Sequence, residues 1–380
     1  MRASDQQATI VGIGQTEFSK NSGRSELTLA AEASLAALTD AGLGVEAIDG
    51  MVTFSWDSND ELELMRCLGI PSLRWTARAP FGGAAACATV QLAAAAVSTG
   101  MANAVLVYRA FNERSGSRYG QPLAVQTGES AHYHRYGLDT PAKAYALWFQ
   151  RYLHTYGVTS EDLGRYSVIA RQHAATNPRA WFYQRPITLA DHQRSRWIVE
   201  PVLRLLDCCQ ESDGGVALVI TTAARARDLA QPGVRILAAS QRHPTEGHFM
   251  YDYYREDLAE LAGTRQLSAE LWQTSGVGPQ DIDAAMIYEN FSPIVFLGLE
   301  AHGFCGRGEA RDFIRDGHIA LGGRLPVNTH GGLLGEGYIH GVNNILEGVR
   351  QVRGTAANQV PGAAHVLVSA LYSAIVLGKV

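Results

Sequence analysis

Thiols and phenols are the side chains of this sequence best suited to attacking or protonating a substrate. The thiols are Cys67, Cys87, Cys208, Cys209 and Cys305. Their number is odd, one pair is adjacent and no C-x-x-C spacing occurs, a pattern of reduced thiols and not of a disulfide framework or zinc site. A cysteine becomes nucleophilic where a helix N-terminus or a nearby cation lowers its pKa, so placement in the fold decides whether any of these can act. A phenol, with an ordinary pKa of about 10, is a good proton donor and needs neighbours to help it serve as a base. Other apparent motifs carry less. Gly12-Ile-Gly14 lacks the third glycine and downstream acid of a dinucleotide fingerprint. His132-Tyr-His134 lacks a third ligand at metal spacing, and the aromatic run from Tyr145 to Tyr156 fits helix packing. Walker loops and Gly-x-Ser-x-Gly elbows are absent, so no metal and no bound cofactor is expected.

Composition narrows the class. The chain has 380 residues, 46% of them hydrophobic, enough for sizeable buried cores. A net charge of −5 leaves no basic excess to neutralise phosphates, which argues against nucleic acid as a partner. No run approaches the roughly 20 apolar residues of a membrane span. Met1 to Thr9 is polar and lacks the apolar centre of a signal peptide. The expectation is a cytoplasmic globular protein.

The elements that must position any reactive group alternate as short β-rich runs and alanine-rich helical stretches, the pattern of an α/β fold. Strands are expected at Ala8–Ile13, Gly50–Phe54, Met101–Tyr108 and Gly214–Thr221, and helices at Leu27–Ala41 and Ala84–Ser98. Between about 111 and 204 the alternation fades and Arg, His, Tyr and Trp become common, which reads as an inserted loop domain. An internal repeat organises the rest. Ala41 to Phe54 aligns without gaps on Ser275 to Tyr288, with Gly-x-Gly and Ile-Asp coinciding at a displacement of 234 positions. A second echo sets Gly82-Gly83, before an alanine-rich helix, against Gly331-Gly332, before another helical run. Two halves follow, residues 1–232 and 233–380.

At these residues the chain resembles the thiolase superfamily over nearly its whole length. Ile10 to Phe18 is similar to the first strand and turn of sterol-carrier-type thiolases, and Ser212-Asp-Gly-Gly-Val-Ala-Leu-Val-Ile220 to the strand closing the first half. Tyr288-Glu-Asn-Phe291 occupies the slot of Asn-Glu-Ala-Phe or His-Asp-Cys-Phe. Val327 to Tyr338 occupies that of Asn-x-x-Gly-Gly…Gly-His-Pro. The resemblance implies duplicated βαβαβαββ halves forming a five-layer αβαβα sandwich, normally a homodimer. The departures bear on chemistry. Condensing members carry a nucleophilic cysteine at the N-terminus of the buried helix, where the dipole lowers its pKa and N–H groups form an oxyanion hole. Counting back from Ser98-Thr-Gly100 puts Gly83 in that place. The histidine of Gly-His-Pro falls on Tyr338, and the second cysteine has no counterpart in Val366 to Val376. Cys87 lies about one turn into the helix and is expected to pack in the core.

A thiolase pocket without its nucleophile keeps the means to hold a thioester enolate. Hydrogen-bond donors near the helix start, each worth roughly 3 kcal/mol, are aimed at developing charge, and Gly83 leaves room for substrate. Retro-aldol cleavage of a β-hydroxyacyl-CoA forms that enolate without a covalent intermediate. A base takes the hydroxyl proton and an acid protonates carbon, roles the resemblance assigns to Tyr288 and Tyr338 in either order. His330, Gly332 and His340 are further candidates for the pocket, with a structural or surface histidine as the alternative at 340. The chain looks most like the lipid-transfer-protein branch, the steroid side-chain aldolases. That resemblance implies cleavage of a 17-hydroxy steroid 20-carboxyl-CoA to a 17-ketosteroid and propionyl-CoA. It also implies a partner, the zinc-ribbon and OB-fold domain of an acyl-CoA hydratase subunit. A non-catalytic acyl-CoA or lipid carrier, or a thiolase using an unexpected cysteine, are the alternative readings.

Overall fold

In a computed structural model of the chain, the described residues are 6–80, 82–122, 130–243, 249–251 and 253–379; Met1 to Asp5 lie outside them. The first apolar run forms β1 (Ala8–Gln15), followed by α1 (Glu26–Ala41), β2 (Gly50–Phe54), α2 (Glu61–Leu68) and β3 (Trp75–Ala79). The alanine-rich stretch forms α3 (Ala86–Ser98), preceded by a 3-10 turn from Gly83, and leads into β4 (Ala104–Asn112). The segment where alternation fades is largely helical: α4 (Ser130–His134), α5 (Pro141–Tyr156), α6 (Ser160–Ala175) and α7 (Leu189–Arg194), then the short ribbon of β5 (Trp197–Val199) and β6 (Leu203–Arg204). The aromatic run of α5 packs inward, with Tyr145, Trp148, Phe149 and Tyr152 all buried. The chain continues through β7 (Asp213–Thr222), α8 (Ala223–Ala226), β8 (Val234–Gln241), α9 (Ala262–Ser275) and β9 (Ala284–Ile287). It ends with α10 (Pro293–Ala301), α11 (Ala310–Arg315), α12 (Gly332–Gly335), α13 (Val342–Arg353), β10 (His365–Ser369) and β11 (Ser373–Lys379). Among the described residues no helix is long and apolar enough to cross a membrane.

The segments that align 234 positions apart fold alike. α1 ends at Ala41 and α9 at Ser275, each closed by a glycine in the left-handed region, Gly42 (φ 69°) and Gly276 (φ 73°). A 3-10 turn follows in each, Val45–Ala47 and Pro279–Asp281, before β2 and β9 begin at Gly50 and Ala284. The second echo falls differently. Gly331-Gly332 opens only the single turn of α12, and the long buried helix starts at Val342 behind Gly341. A twin-glycine signal marks tight chain passage and does not by itself say which helix follows.

The strands hydrogen-bond in the order β3-β2-β4-β7-β1-β8-β11-β10-β9. In both halves a parallel pairing (β2 with β4, β9 with β10) is followed, towards the middle of the sheet, by two antiparallel ones. The halves are bridged between β1 and β8 through only Thr9 with Arg235 and Ile10 with Val234. α1 packs on β1, β4 and β7, and α9 on β8 and β11, whereas α3 and α13 each touch strands from both halves. Small side chains let α3 sit there: Ala88, Val90 and Ala93 are fully buried.

Candidate active site

Open α/β sheets bind ligands beyond the carboxyl ends of their parallel strands, and the reactive groups of this chain gather at that end. Tyr288 directly follows β9, and its N–H donates to the carbonyl of Ser369, at the end of β10, over 2.8 Å. Tyr338 comes from the loop between α12 and α13, its N–H donating to Ser212 Oγ at 3.3 Å. The two hydroxyls meet at 2.8 Å, with the residues only 4% and 6% exposed. The segment before β7 stitches these loops together. Cys209 N–H donates to Asn290 O and Gln210 N–H to Leu333 O, both at 2.9 Å. The Asp213 carboxylate accepts from the N–H groups of Ser22, Arg114 and Ser115 at 3.0, 2.9 and 3.0 Å. The Ser-Asp-Gly strand of the sequence therefore fixes the turn that leaves β4.

His302 steadies the Tyr288 support from behind. Its ring nitrogens lie 2.6 Å from Ser369 Oγ and 2.7 Å from Ser268 Oγ, and burial lowers its pKa from 6.5 to about 3. Between those values the unfolded chain binds more protons than the folded one. The ring's contribution, full above about pH 6.5, is therefore lost as pH falls towards 3. Urea unfolding of His302→Gln checks this: the stability gap to the unaltered protein narrows from about pH 7 to about pH 4.

The place beside Gly83 is occupied by Tyr288. A Cβ on Gly83 would stand 2.5 Å from Cε2 of that ring, and one on Gly341 would stand 2.8 Å from Cδ2. Two glycines therefore make a slot for one phenol. Space the sequence reading left for substrate beside Gly83 is filled by this side chain. Cys87, one turn on, points its sulfur at the carbonyl of Val368 at 3.4 Å, and burial raises its pKa. It is a core thiol.

Tyr338, and not Tyr288, lines a cavity of about 370 Å³ that it shares with Glu113, Lys20, Cys209, Glu211 and Tyr119. Burial pushes both phenols well above their ordinary value; the neighbouring phenol, Cys209 and Glu113 raise Tyr338 further. At neutral pH both are proton donors. Burial also raises the thiols of Cys208 and Cys209, so the cysteines nearest the cavity are protonated and poor nucleophiles. Lys20 is lowered to about 8 by burial, and its Nζ donates to the Glu211 carbonyl at 2.6 Å. Glu113 is 2% exposed, and burial with Glu211 nearby holds its carboxyl well above the usual range.

His340 stands beside the pair. Its ring centroid lies 5.4 Å from that of Tyr338, edge to face, and 5.4 Å from Tyr119, stacked. Arg109 Nε donates to Nδ1 at 3.3 Å. Because a guanidinium has no acceptor, Nδ1 must accept and the neutral ring carries its proton on Nε2. Arg109 is in turn paired with Asp57 at 2.8 Å, both side chains buried. Asp57→Ala would leave that guanidinium buried without its anion, so a loss of about 3–5 kcal/mol in urea-denaturation stability is expected.

The structure does not bring His330 or Gly332 to the phenols. His330 sits in a separate buried polar network, with Nε2 3.1 Å from Asn344 Oδ1 and 3.8 Å from Glu336. Gly332 (φ 62°) faces the Glu289 carboxyl, whose Oε1 accepts the Leu333 N–H at 2.7 Å. Among the groups on the cavity that escaped the sequence reading are Glu113, Lys20, Glu211 and Tyr119. The available signal for Glu113 was a charge immediately after a strand buried along almost its full length.

Comparison with known proteins agrees with this geometry. The family described as Thiolase C-terminal domain-like matches residues 248–375. A steroid side-chain-cleaving aldolase of Thermomonospora curvata is 55% identical over 370 residues, 96% of this chain and 94% of the relative. A 17-hydroxy-3-oxo-4-pregnene-20-carboxyl-CoA lyase of Mycobacterium tuberculosis is 55% identical over 96% of each chain. A solved Ltp2-ChsH2(DUF35) aldolase superimposes with a TM-score of 0.94 at 53% identity, covering 100% of this chain and 99% of the other.

Proposed function

Because this chain belongs to the steroid side-chain-cleaving aldolases of the thiolase superfamily, we propose that it splits a 17-hydroxy steroid 20-carboxyl-CoA into a 17-ketosteroid and propionyl-CoA. It is a carbon–carbon lyase acting on a steroid-derived CoA thioester, and the chemistry of the site accounts for how it dispenses with a nucleophile. The observation that carries the reading is the 2.8 Å contact of Tyr288 and Tyr338, with Tyr288 in the space that the missing side chain of Gly83 leaves open.

Cleavage moves one proton from the β-hydroxyl to the α-carbon and consumes none overall. As the hydroxyl proton leaves, its oxygen becomes the ketone, and the pair of electrons of the breaking bond passes to the thioester as an enolate. A phenol then delivers a proton to that carbon. Two phenols in hydrogen contact divide the cost of giving it up, since the second stabilises the charge left on the first. The tyrosines thus serve as the acid, and sulfur takes no part.

The same reading extends to assembly. The chain works as a homodimer joined to a zinc-ribbon and OB-fold domain of an acyl-CoA hydratase subunit. Its halves, 1–232 and 233–380, form the five layers of an αβαβα sandwich, with 111–204 inserted in the first. Product analysis tests the function: the 17-hydroxy steroid 20-carboxyl-CoA, supplied with and without that partner domain, should yield 17-ketosteroid and propionyl-CoA in equal amounts. Binding without cleavage under both conditions would leave a carrier instead.

A further inference from the structure

A CoA thioester brings its reacting carbon to the phenol pair on a long flexible arm, and the cavity wall carries a group suited to holding that arm. The loop after β9 that supplies Tyr288 supplies Asn290 two residues later, and Asn290 lines the cavity together with Tyr338. It is only 7% exposed. Its backbone is fixed, since its carbonyl accepts the Cys209 N–H at 2.9 Å. Its carboxamide hydrogen-bonds the hydroxyl of Tyr145, a residue buried on α5. Its Oδ1, however, is buried with no hydrogen-bond partner. Buried acceptors are rarely left unpaired, so one on a cavity wall marks a place for an incoming donor. Arg114, Arg118 and Arg196 line the same cavity, and guanidinium groups suit the phosphates at the far end of the arm.

A β-hydroxyacyl-CoA offers two donors near its thioester, the β-hydroxyl and the amide N–H two carbons beyond the sulfur. A hydroxyl bound to Oδ1 would turn its hydrogen away from the phenols, and a carboxamide oxygen is too weak a base to take that proton. The amide N–H takes no part in the chemistry and meets no such conflict. We propose that Asn290 is a substrate-binding residue whose Oδ1 accepts the pantetheine N–H nearest the thioester sulfur, an assignment that rests on the acyl-CoA reading above. One bond at that point fixes the arm on the side of the sulfur away from the acyl group. The thioester carbonyl and its α-carbon are then held at a set distance from the Tyr338 hydroxyl.

Changing one atom of the substrate isolates this bond. The same steroid acyl group is offered to the full complex in three forms. These are the CoA thioester, the N-acetylcysteamine thioester, which keeps the N–H nearest sulfur, and the 2-acetoxyethyl thioester, in which an ester oxygen replaces that N–H. The unaltered protein is expected to favour the amide over the ester by about tenfold in kcat/KM. Where the short thioesters turn over too slowly, the same ratio is read from their inhibition of CoA-thioester cleavage. Asn290→Leu, similar in shape but without the acceptor, is expected to bring the preference within about twofold. Asn290→Ala decides the matter if the leucine variant does not fold. A purely structural Asn290 would lower both rates together and leave their ratio intact; that result, or no preference in the unaltered protein, overturns the assignment. Failure of the unaltered complex to cleave the CoA thioester itself would instead overturn the lyase reading, and with it the role given to Asn290.

Discussion

Tyr338→Phe lowers carbon–carbon cleavage by about 10³-fold while binding of the CoA thioester stays within about threefold. The ring remains, so its edge-on packing against Phe111 and His340 is preserved and only the hydroxyl facing the cavity is lost. Tyr288→Phe is expected to act through the same proton. It removes the partner 2.8 Å behind Tyr338, so the phenolate left after protonating carbon loses its stabilising donor. Because both substitutions disable one unit, the double variant should be little worse than the single ones. Steady-state turnover with parallel measurement of substrate affinity separates this from a carrier, in which affinity and not rate would change.

Gly83→Ala is expected to be nearly as damaging for a purely steric reason. The added methyl would meet the Tyr288 ring at 2.5 Å, and Gly341 crowds the same ring, its own Cβ position 2.8 Å from Cδ2. The phenol must leave, breaking the pair and costing about 1–3 kcal/mol of stability from overpacking. Gly83→Cys should fail in the same way. Restoring the residue type of a condensing thiolase at this position should therefore yield no condensation of acyl-CoA, since the thiol would displace the phenol without gaining a catalytic histidine. A cysteine variant with new acyltransferase activity and retained cleavage would contradict this steric argument.

Much of the fold could be read from residue order because local signals were strong. Gly42 and Gly276 close equivalent helices, and Gly50 to Phe54 forms the strand its pattern announces. Motif order brought Tyr288 and Tyr338 to attention, and they do meet. What residue order hid were contacts made by distant segments. The filling of the space beside Gly83 depends on how the loop after β9 turns under α3. Residue order does not single out Glu113, because its turn is set by Asp213, a hundred residues away. His330 was misleading because it lies next to Gly331-Gly332, while its side chain enters the network under α13. Sequence neighbourhood is a poor guide where the chain reverses within one turn.

The most direct measurement is intact-protein mass during a single turnover in D2O, quenched in acid at successive times. The account predicts an unmodified polypeptide at every time point and propionyl-CoA carrying one deuterium at its α-carbon, delivered by exchangeable phenol. A substrate-derived acyl mass on any of the cysteines while product is forming would contradict it.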